Sequence, residues 1–255
     1  MVWGTISGME LENKTALITG ASGKLGGAIA LALAQKGCSC VCHYHGNSQK
    51  AHDLVEQLKK TGAKAMAVSA DLSDEAEIEM LFEQACKLGT PTILINLAAV
   101  FERMPLEDIT SESMQRIFKL NTIAPVLTAK IFARLIKKEF PNSSAPVGKI
   151  INISDIGGIR PWAEYIAYCS SKAALIGATK ALAKELAPAI CVNSIAPGIA
   201  ACSELFDQQE RAKQLALVPM QRIALPQEIT SAIIFLLEND YITGQVLNVD
   251  GGRCI

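Results

Sequence analysis

The sequence predicts an α/β fold: a parallel, doubly wound sheet of about seven strands, covered by helices on both faces and forming a single domain over residues 1–255. Strand-like apolar runs alternate with helical stretches from one end of the chain to the other. The strand runs are rich in Val and Ile and apolar on both sides, as strands buried on both faces must be. Half of the 255 residues are hydrophobic and only 19% are charged, enough for a large core.

Taken in order, Lys14–Ile18 reads as a strand, Leu25–Lys36 as a helix, Ser39–Tyr44 as a strand and Gln49–Lys60 as a helix. Strand Lys64–Ser69, helix Asp74–Lys87 and strand Thr92–Asn96 continue the pattern, with Ser73 as the expected helix start before two acidic residues. A long helical region, Ser111 to Lys138, contains Pro125, which should kink or divide it. Then come strand Lys149–Ile153, helix Tyr165–Leu186, strand Cys191–Ile195, helix Gln227–Leu237 and strand Gln245–Val249. Met1 to Gly8 reads as a loose leader.

A formal net charge of −1 argues against a nucleic-acid partner held by a basic face. No apolar run is long enough for a membrane span, and the N-terminus lacks the basic-then-apolar order of a secretory signal. The eight cysteines include no zinc-type Cys-x-x-Cys pair, and Cys38, Cys40 and Cys42 alternate along one strand, so their side chains point the same way. We expect reduced thiols packed as small apolar residues, no bound metal and a cytoplasmic location.

In such a sheet the ligand crevice lies at the carboxyl ends of the strands. After the first strand comes Thr19-Gly20-Ala21-Ser22-Gly23-Lys24-Leu25-Gly26-Gly27. Small residues allow a tight turn and close approach to a pyrophosphate, and the next helix offers its free amides to the anion, as in a Rossmann-type dinucleotide site. It is not an ATP-type loop, because Leu25 stands where a magnesium-binding hydroxyl is needed. The second strand ends in His43-Tyr44-His45-Gly46-Asn47-Ser48, without the acidic residue that binds the ribose 2′-hydroxyl of NAD. Lys24, His45, Asn47 and Ser48 could instead surround a 2′-phosphate, so NADP(H) is the expected cofactor. Asp71, after the third strand, is placed to meet the adenine edge. The alternatives for His43 and His45 are that they are ordinary strand residues or a metal pair, for which no third ligand is evident.

Tyr168 and Lys172 are four apart on a helix and share a face. A phenol with a pKa near about 10 is a poor proton donor or acceptor at neutral pH unless its anion is stabilised, which a nearby ammonium does. Together they suit proton transfer to a small-molecule substrate during hydride transfer.

From Lys14 to Gly252 the chain resembles the short-chain dehydrogenase/reductase family. The matching residues are the Thr19–Gly26 loop, Asp71, Asn96-Leu97-Ala98-Ala99, Asn121, the Asp155 position, Tyr168, Lys172 and Pro197-Gly198. The resemblance implies that Asp71, Leu72, Asn96 and Ala98 border the cofactor. It also implies that Lys172 binds the nicotinamide ribose, that Asn121 holds a water in a relay with Lys172, and that Pro197-Gly198 flanks the nicotinamide. It implies a homo-oligomer, dimer or tetramer, paired through the two long central helices.

The chain departs from the family pattern at three places: Lys24 replaces the loop's middle glycine, Leu97 replaces an asparagine, and Asp155 stands where the catalytic serine is usual. Ser154 is one place off and on an extended strand would face the other way. These departures resemble the pteridine-reductase branch, which has a basic loop residue, a His-Tyr-His strand end and an aspartate at the serine position. Phe101 falls where that branch stacks an aromatic ring on the pterin. An aspartate can relay a proton to a ring nitrogen, whereas a serine mainly hydrogen-bonds a carbonyl oxygen. The implied activity is NADPH-dependent reduction of a dihydropterin. The alternatives are drift within a ketone reductase, such as one acting on 3-oxoacyl groups carried by acyl carrier protein, and a non-catalytic NADP(H) sensor.

Trp162 and Tyr165 are expected either to line the substrate cleft or to pack beneath a loop, and residues 200–217 occupy the place of the family's substrate lid. Arg253 is expected at the surface, with a neighbouring subunit's site as the alternative.

Overall fold

The computed structural model describes residues 8–143, 145–199 and 208–255. Its strands are β1 (Thr15–Ile18), β2 (Ser39–Tyr44), β3 (Ala65–Ser69), β4 (Pro91–Asn96), β5 (Gly148–Ile153), β6 (Ile190–Pro197) and β7 (Val246–Val249). All pair in parallel in the order β3-β2-β1-β4-β5-β6-β7. The strand order therefore reverses between β1 and β4, and the crevice above that point is where a ligand belongs.

Period-two alternation divides the core. Ala16, Ile18, Cys40, Cys42, Ile93, Ile95, Ile151 and Ile153 face one side, against helices α1 (Lys24–Gln35), α2 (Ser48–Lys60) and α8 (Pro226–Glu238). Leu17, Val41, Leu94 and Ile150 face the other, against α3 (Glu75–Cys86), α5 (Ala124–Glu139) and α6 (Ile166–Leu186). Leu17 is fully buried, and its truncation to Ala should cost about 2–5 kcal/mol. The two remaining helices are α4 (Ser111–Phe118) and α7 (Gln208–Ala216).

Helix starts differ in an informative way. Asn47 caps α2 by accepting the Lys50 N–H at 3.1 Å, and Asp74, not Ser73, caps α3 by accepting the Ala76 N–H at 2.8 Å. Glu75 and Glu77 then add negative charge at the positive end of the α3 dipole. By contrast, α1 begins at Gly23 with no side-chain cap and no acidic residue in its first turn. Its amides are left for an anion.

The expected helix over Ser111 to Lys138 is broken. A π-helical turn, Lys119–Ile123, separates α4 from α5, and Pro125 sits in the first turn of α5, where its missing N–H is tolerated. At α spacing Pro125 would have to donate to the carbonyl of Asn121, which it cannot do, so the regular ladder fails at this point.

Residues 1–7 of the expected leader lie outside the described residues. Gly8 is not loose: a Cβ there would fall 1.6 Å from the Glu238 carbonyl oxygen, and Met9 is buried in the core. No helix of the described residues is long and apolar enough to cross a membrane. The described cysteines are free thiols, with Cys38, Cys40 and Cys42 buried.

Candidate active site

The glycine loop fits a dinucleotide phosphate by its shape. Gly20 has φ +67°, and a Cβ there would meet the Ala98 Cα at 3.0 Å. A Cβ at Gly26 would lie 2.5 Å from the Gly20 carbonyl oxygen, so α1 can approach the loop this closely only with glycine. Gly23 and Lys24 are exposed at the mouth, with Ser22 and Leu25 half-buried behind them. Thr19 does not face a ligand: its buried hydroxyl accepts the N–H groups of Leu97 and Ala98 at 3.0 and 3.1 Å and fixes the end of β4 to the loop.

The end of β2 is brought to the same edge. His45, Asn47 and Ser48 are exposed there, although Asn47 is engaged as the α2 cap and Ser48 lies 3.3 Å from His52 Nδ1. Asp71 turns onto the Ser73 N–H at 2.8 Å, and that bond holds its carboxyl below the ordinary carboxylate range. Leu72 is core, and Asn96 is locked in a buried network. The Asn96 amide donates to Asn152 Oδ1 at 2.9 Å, and its carbonyl accepts the Thr128 hydroxyl at 2.9 Å. The side chains of Leu72 and Asn96 are therefore unavailable to a ligand. Pro197 ends β6, and Gly198 packs so closely on Asp250 that a Cβ would lie 2.7 Å from its Cα.

Tyr168 and Asp155 meet. The Tyr168 hydroxyl donates to Asp155 Oδ2 at 2.9 Å, while Asp155 Oδ1 accepts the Gly157 N–H at 2.6 Å. Burial pushes the Asp155 carboxyl above the usual range, with Gly157, Tyr168, Lys172 and Arg253 acting in the opposite direction. Lys172, buried on the same face of α6, donates to the Ile153 carbonyl at 2.8 Å and places its ammonium 5.8 Å from the centre of the Tyr168 ring. Ser154 faces away as expected, donating to the Ile195 carbonyl at 3.0 Å. Asn121 sits in the π turn: its amide donates to Ser171 Oγ at 3.0 Å and to the Val100 carbonyl at 2.9 Å.

An aromatic wall adjoins this centre. Phe101 stacks on Tyr165 with ring centres 5.1 Å apart and meets Tyr168 edge-on at 4.7 Å. Trp162 lies 5.8 Å from Tyr165 and 6.4 Å from Tyr168. Arg253 corrects its sequence-based placement: it is half-buried in its own chain, 5.7 Å over the Trp162 ring and bonded to Gln214 of α7. That packing explains the difference, since a planar guanidinium stacks on an indole face. Of the lid segment, residues 200–207 lie outside the described residues and the remainder is largely α7.

Four contributions escaped sequence reasoning. Gly157 supplies an amide to Asp155, and Gly158 lets α6 come close, since a Cβ would lie 2.8 Å from the Lys172 carbonyl carbon. Ser171 anchors Asn121, and Glu164 braces the aromatic wall. Only the Gly-Gly pair after Asp155 left a mark in the sequence, because glycine at a strand end signals close backbone approach.

The family model described as enoyl-(acyl carrier protein) reductase matches residues 20–253. A 3-oxoacyl-[acyl-carrier-protein] reductase of Synechocystis is 33% identical over 247 residues, 95% of this chain and 97% of that protein. The NADP complex of FolM alternative dihydrofolate reductase 1 from Brucella canis superposes with a TM-score of 0.85 at 28% identity, covering 96% of both chains. A short-chain dehydrogenase/reductase variant from Serratia marcescens superposes at 0.89 with 27% identity, covering 97% of this chain and all of that one. Matched by the family model over residues 20–253 and by a relative at 33% identity, the chain belongs to the short-chain dehydrogenase/reductase family of nicotinamide-dependent oxidoreductases.

Proposed function

We propose that this protein is an NADPH-dependent reductase of dihydropterin-class substrates. The observation that carries this reading is the 2.9 Å hydrogen bond between Tyr168 and Asp155, an acid of raised pKa at the place of the family's serine. The likeness to an NADP-bound alternative dihydrofolate reductase points the same way, as do Phe101 beside Tyr168 and the lack of an acidic residue after β2.

NADPH, when bound, supplies the hydride. The chain's own residues supply the proton. With its pKa raised by burial, Asp155 holds a proton at a higher pH than an exposed carboxyl does. With Asp155 protonated the bond turns round: the carboxyl donates to the phenolic oxygen, and the Tyr168 hydrogen, no longer held by Asp155, is free for a substrate nitrogen. One proton moves from Asp155 to Tyr168 while another leaves Tyr168, so the phenol is neutral before and after. The Lys172 ammonium disfavours protonation of the phenol beyond neutrality and steadies any phenolate character between the two transfers. Phe101, Tyr165 and Trp162 form an apolar wall that keeps water from the reacting bond.

The test is consumption of NADPH with a dihydropterin, against a Tyr168→Phe control. Loss of a general acid should lower turnover roughly hundred- to ten-thousandfold. Wild-type consumption no faster than the control would remove the pterin assignment. The second reading is reduction of 3-oxoacyl groups on acyl carrier protein, favoured by the name of the Synechocystis relative. Turnover of an acetoacetyl thioester without turnover of pterins would select it. A single cytoplasmic domain assembled as a homo-oligomer is part of the proposal and rests on family resemblance.

A further inference from the structure

His43 lies on β2 in the middle of the cofactor half of the sheet and is only 2% exposed. An imidazole so buried is unfavourable unless both nitrogens find partners. Both do. Nδ1 is 3.1 Å from the Gly20 N–H, which can only donate, so Nδ1 accepts. Nε2 is 2.9 Å from the Ala70 carbonyl, which can only accept, so Nε2 carries the proton. Two fixed partners thus select one neutral tautomer.

The two partners are the points at which the loops after β1 and β3 leave the sheet. Gly20 is the turn residue at φ +67°, and its carbonyl is the atom against which Gly26 packs. Ala70 precedes Asp71. The backbone of β2 adds to the same clamp, since the His43 carbonyl accepts the Ala21 N–H at 2.9 Å and the Tyr44 carbonyl accepts the Ala70 N–H at 3.1 Å. An apolar strand residue of the same size would fill the space without orienting either loop.

We propose that His43 is a positioning residue for the dinucleotide: its neutral imidazole spans the phosphate loop and the loop after β3 and fixes the peptide plane of Gly20, and with it the approach of the α1 N-terminus to the pyrophosphate. This role depends on the chain binding a dinucleotide and is independent of the pterin assignment. The charged or titratable neighbours that act on the ring are His45 and Asp71, of opposite effect. Protonation of Nδ1 would leave the Gly20 N–H facing another donor, so the clamp exists only in the neutral form.

The experiment measures NADPH binding to the full-length chain directly, by quenching of intrinsic fluorescence, so that no substrate is needed. His43→Phe keeps the ring and removes both bonds; its dissociation constant should rise about tenfold, as expected for a buried donor left unpaired. His43→Asn returns an acceptor near the Nδ1 position and should recover most of that loss. Equal weakening in both variants, or no weakening in His43→Phe, would overturn the proposal. Because either variant could unfold, nitrogen NMR of the wild-type imidazole provides a second arm. A neutral ring protonated at Nε2 is expected, and a ring protonated at Nδ1, or at both nitrogens near neutral pH, would equally overturn it.

Discussion

Asn121 grips Val100 as a neighbouring strand would: its Oδ1 accepts the Val100 N–H at 2.8 Å and its Nδ2 donates to the Val100 carbonyl at 2.9 Å. The next residue along is Phe101, so the aromatic wall is anchored through this one side chain to the π turn.

Asn121→Ala should therefore act on both stability and substrate binding. It removes three hydrogen bonds, two to Val100 and one to Ser171, and leaves backbone groups of Val100 unpaired in a half-buried place, a loss of about 2–3 kcal/mol. Chemical denaturation measures that loss. The KM for substrate should rise more than the KM for NADPH, and an equal rise in both would show that the loop after β4 does not depend on Asn121.

Asp155→Asn should gain stability relative to wild type as pH rises. The folded-state pKa of Asp155 lies above its ordinary value of 3.8, so the carboxyl's contribution is whole below that value and is lost as pH climbs through the raised one. The amide has no such loss, though its single oxygen cannot serve both Gly157 and Tyr168. Denaturation at about pH 4 and about pH 8 should show the difference between the two proteins moving in favour of the variant. Reductase activity in the wild type should fall across the same rise in pH, and the variant should lose that limb.

The brace on the aromatic wall separates function from stability. Glu164 has φ +63°, its carbonyl accepts the Met104 N–H at 2.6 Å, and its carboxylate pairs with Arg103. Glu164→Gly relieves about 1 kcal/mol of backbone strain and removes an exposed ion pair worth about 0–1 kcal/mol. The two nearly cancel. Thermal stability should change little while substrate KM rises, and an unchanged KM would mean that the wall holds without the ion pair.

Lys149 is buried on β5, with its ammonium 2.7 Å from Asp240 and 2.7 Å from the Asn239 carbonyl. Removing the anion leaves the buried ammonium with neutral acceptors only, so Asp240→Asn should cost about 1–3 kcal/mol. Lys149→Met removes the charge and keeps much of the volume, and should cost less. Denaturation of the two variants checks the order, and the reverse order would show that the pair is held mainly for the lysine's bond to Asn239.

The sheet and its helices were legible in the sequence because period-two and helical patterns act over short windows, and residues such as Leu17 and Ile18 declare their faces by alternation. The break between α4 and α5 was half legible: Pro125 marked it, but a π turn is set by where Asn121 must reach, which is a tertiary fact. The place of Asp155 opposite Tyr168 came from the family resemblance, which puts a catalytic residue 13 positions before the tyrosine. His43 could not be read, since its two partners are brought to it by the register of β1 and β3 against β2. Arg253 was misplaced for a similar reason, because a terminal arginine beside glycines looks solvated until a tryptophan from another loop is laid under it.

Three buried thiols, Cys40 and Cys42 on β2 and Cys38 just before it, give this protein an internal reporter of breathing. Burial raises the pKa of Cys38, Cys40 and Cys42, so almost none of each is thiolate while the sheet is closed. Exposed Cys86 is open to a thiol reagent in the closed state, but these three thiols become reactive only when the strand parts from its neighbours. The slow phase of alkylation would then time the opening of the half-sheet that carries the phosphate loop, and a cofactor that clamps that loop should lengthen it.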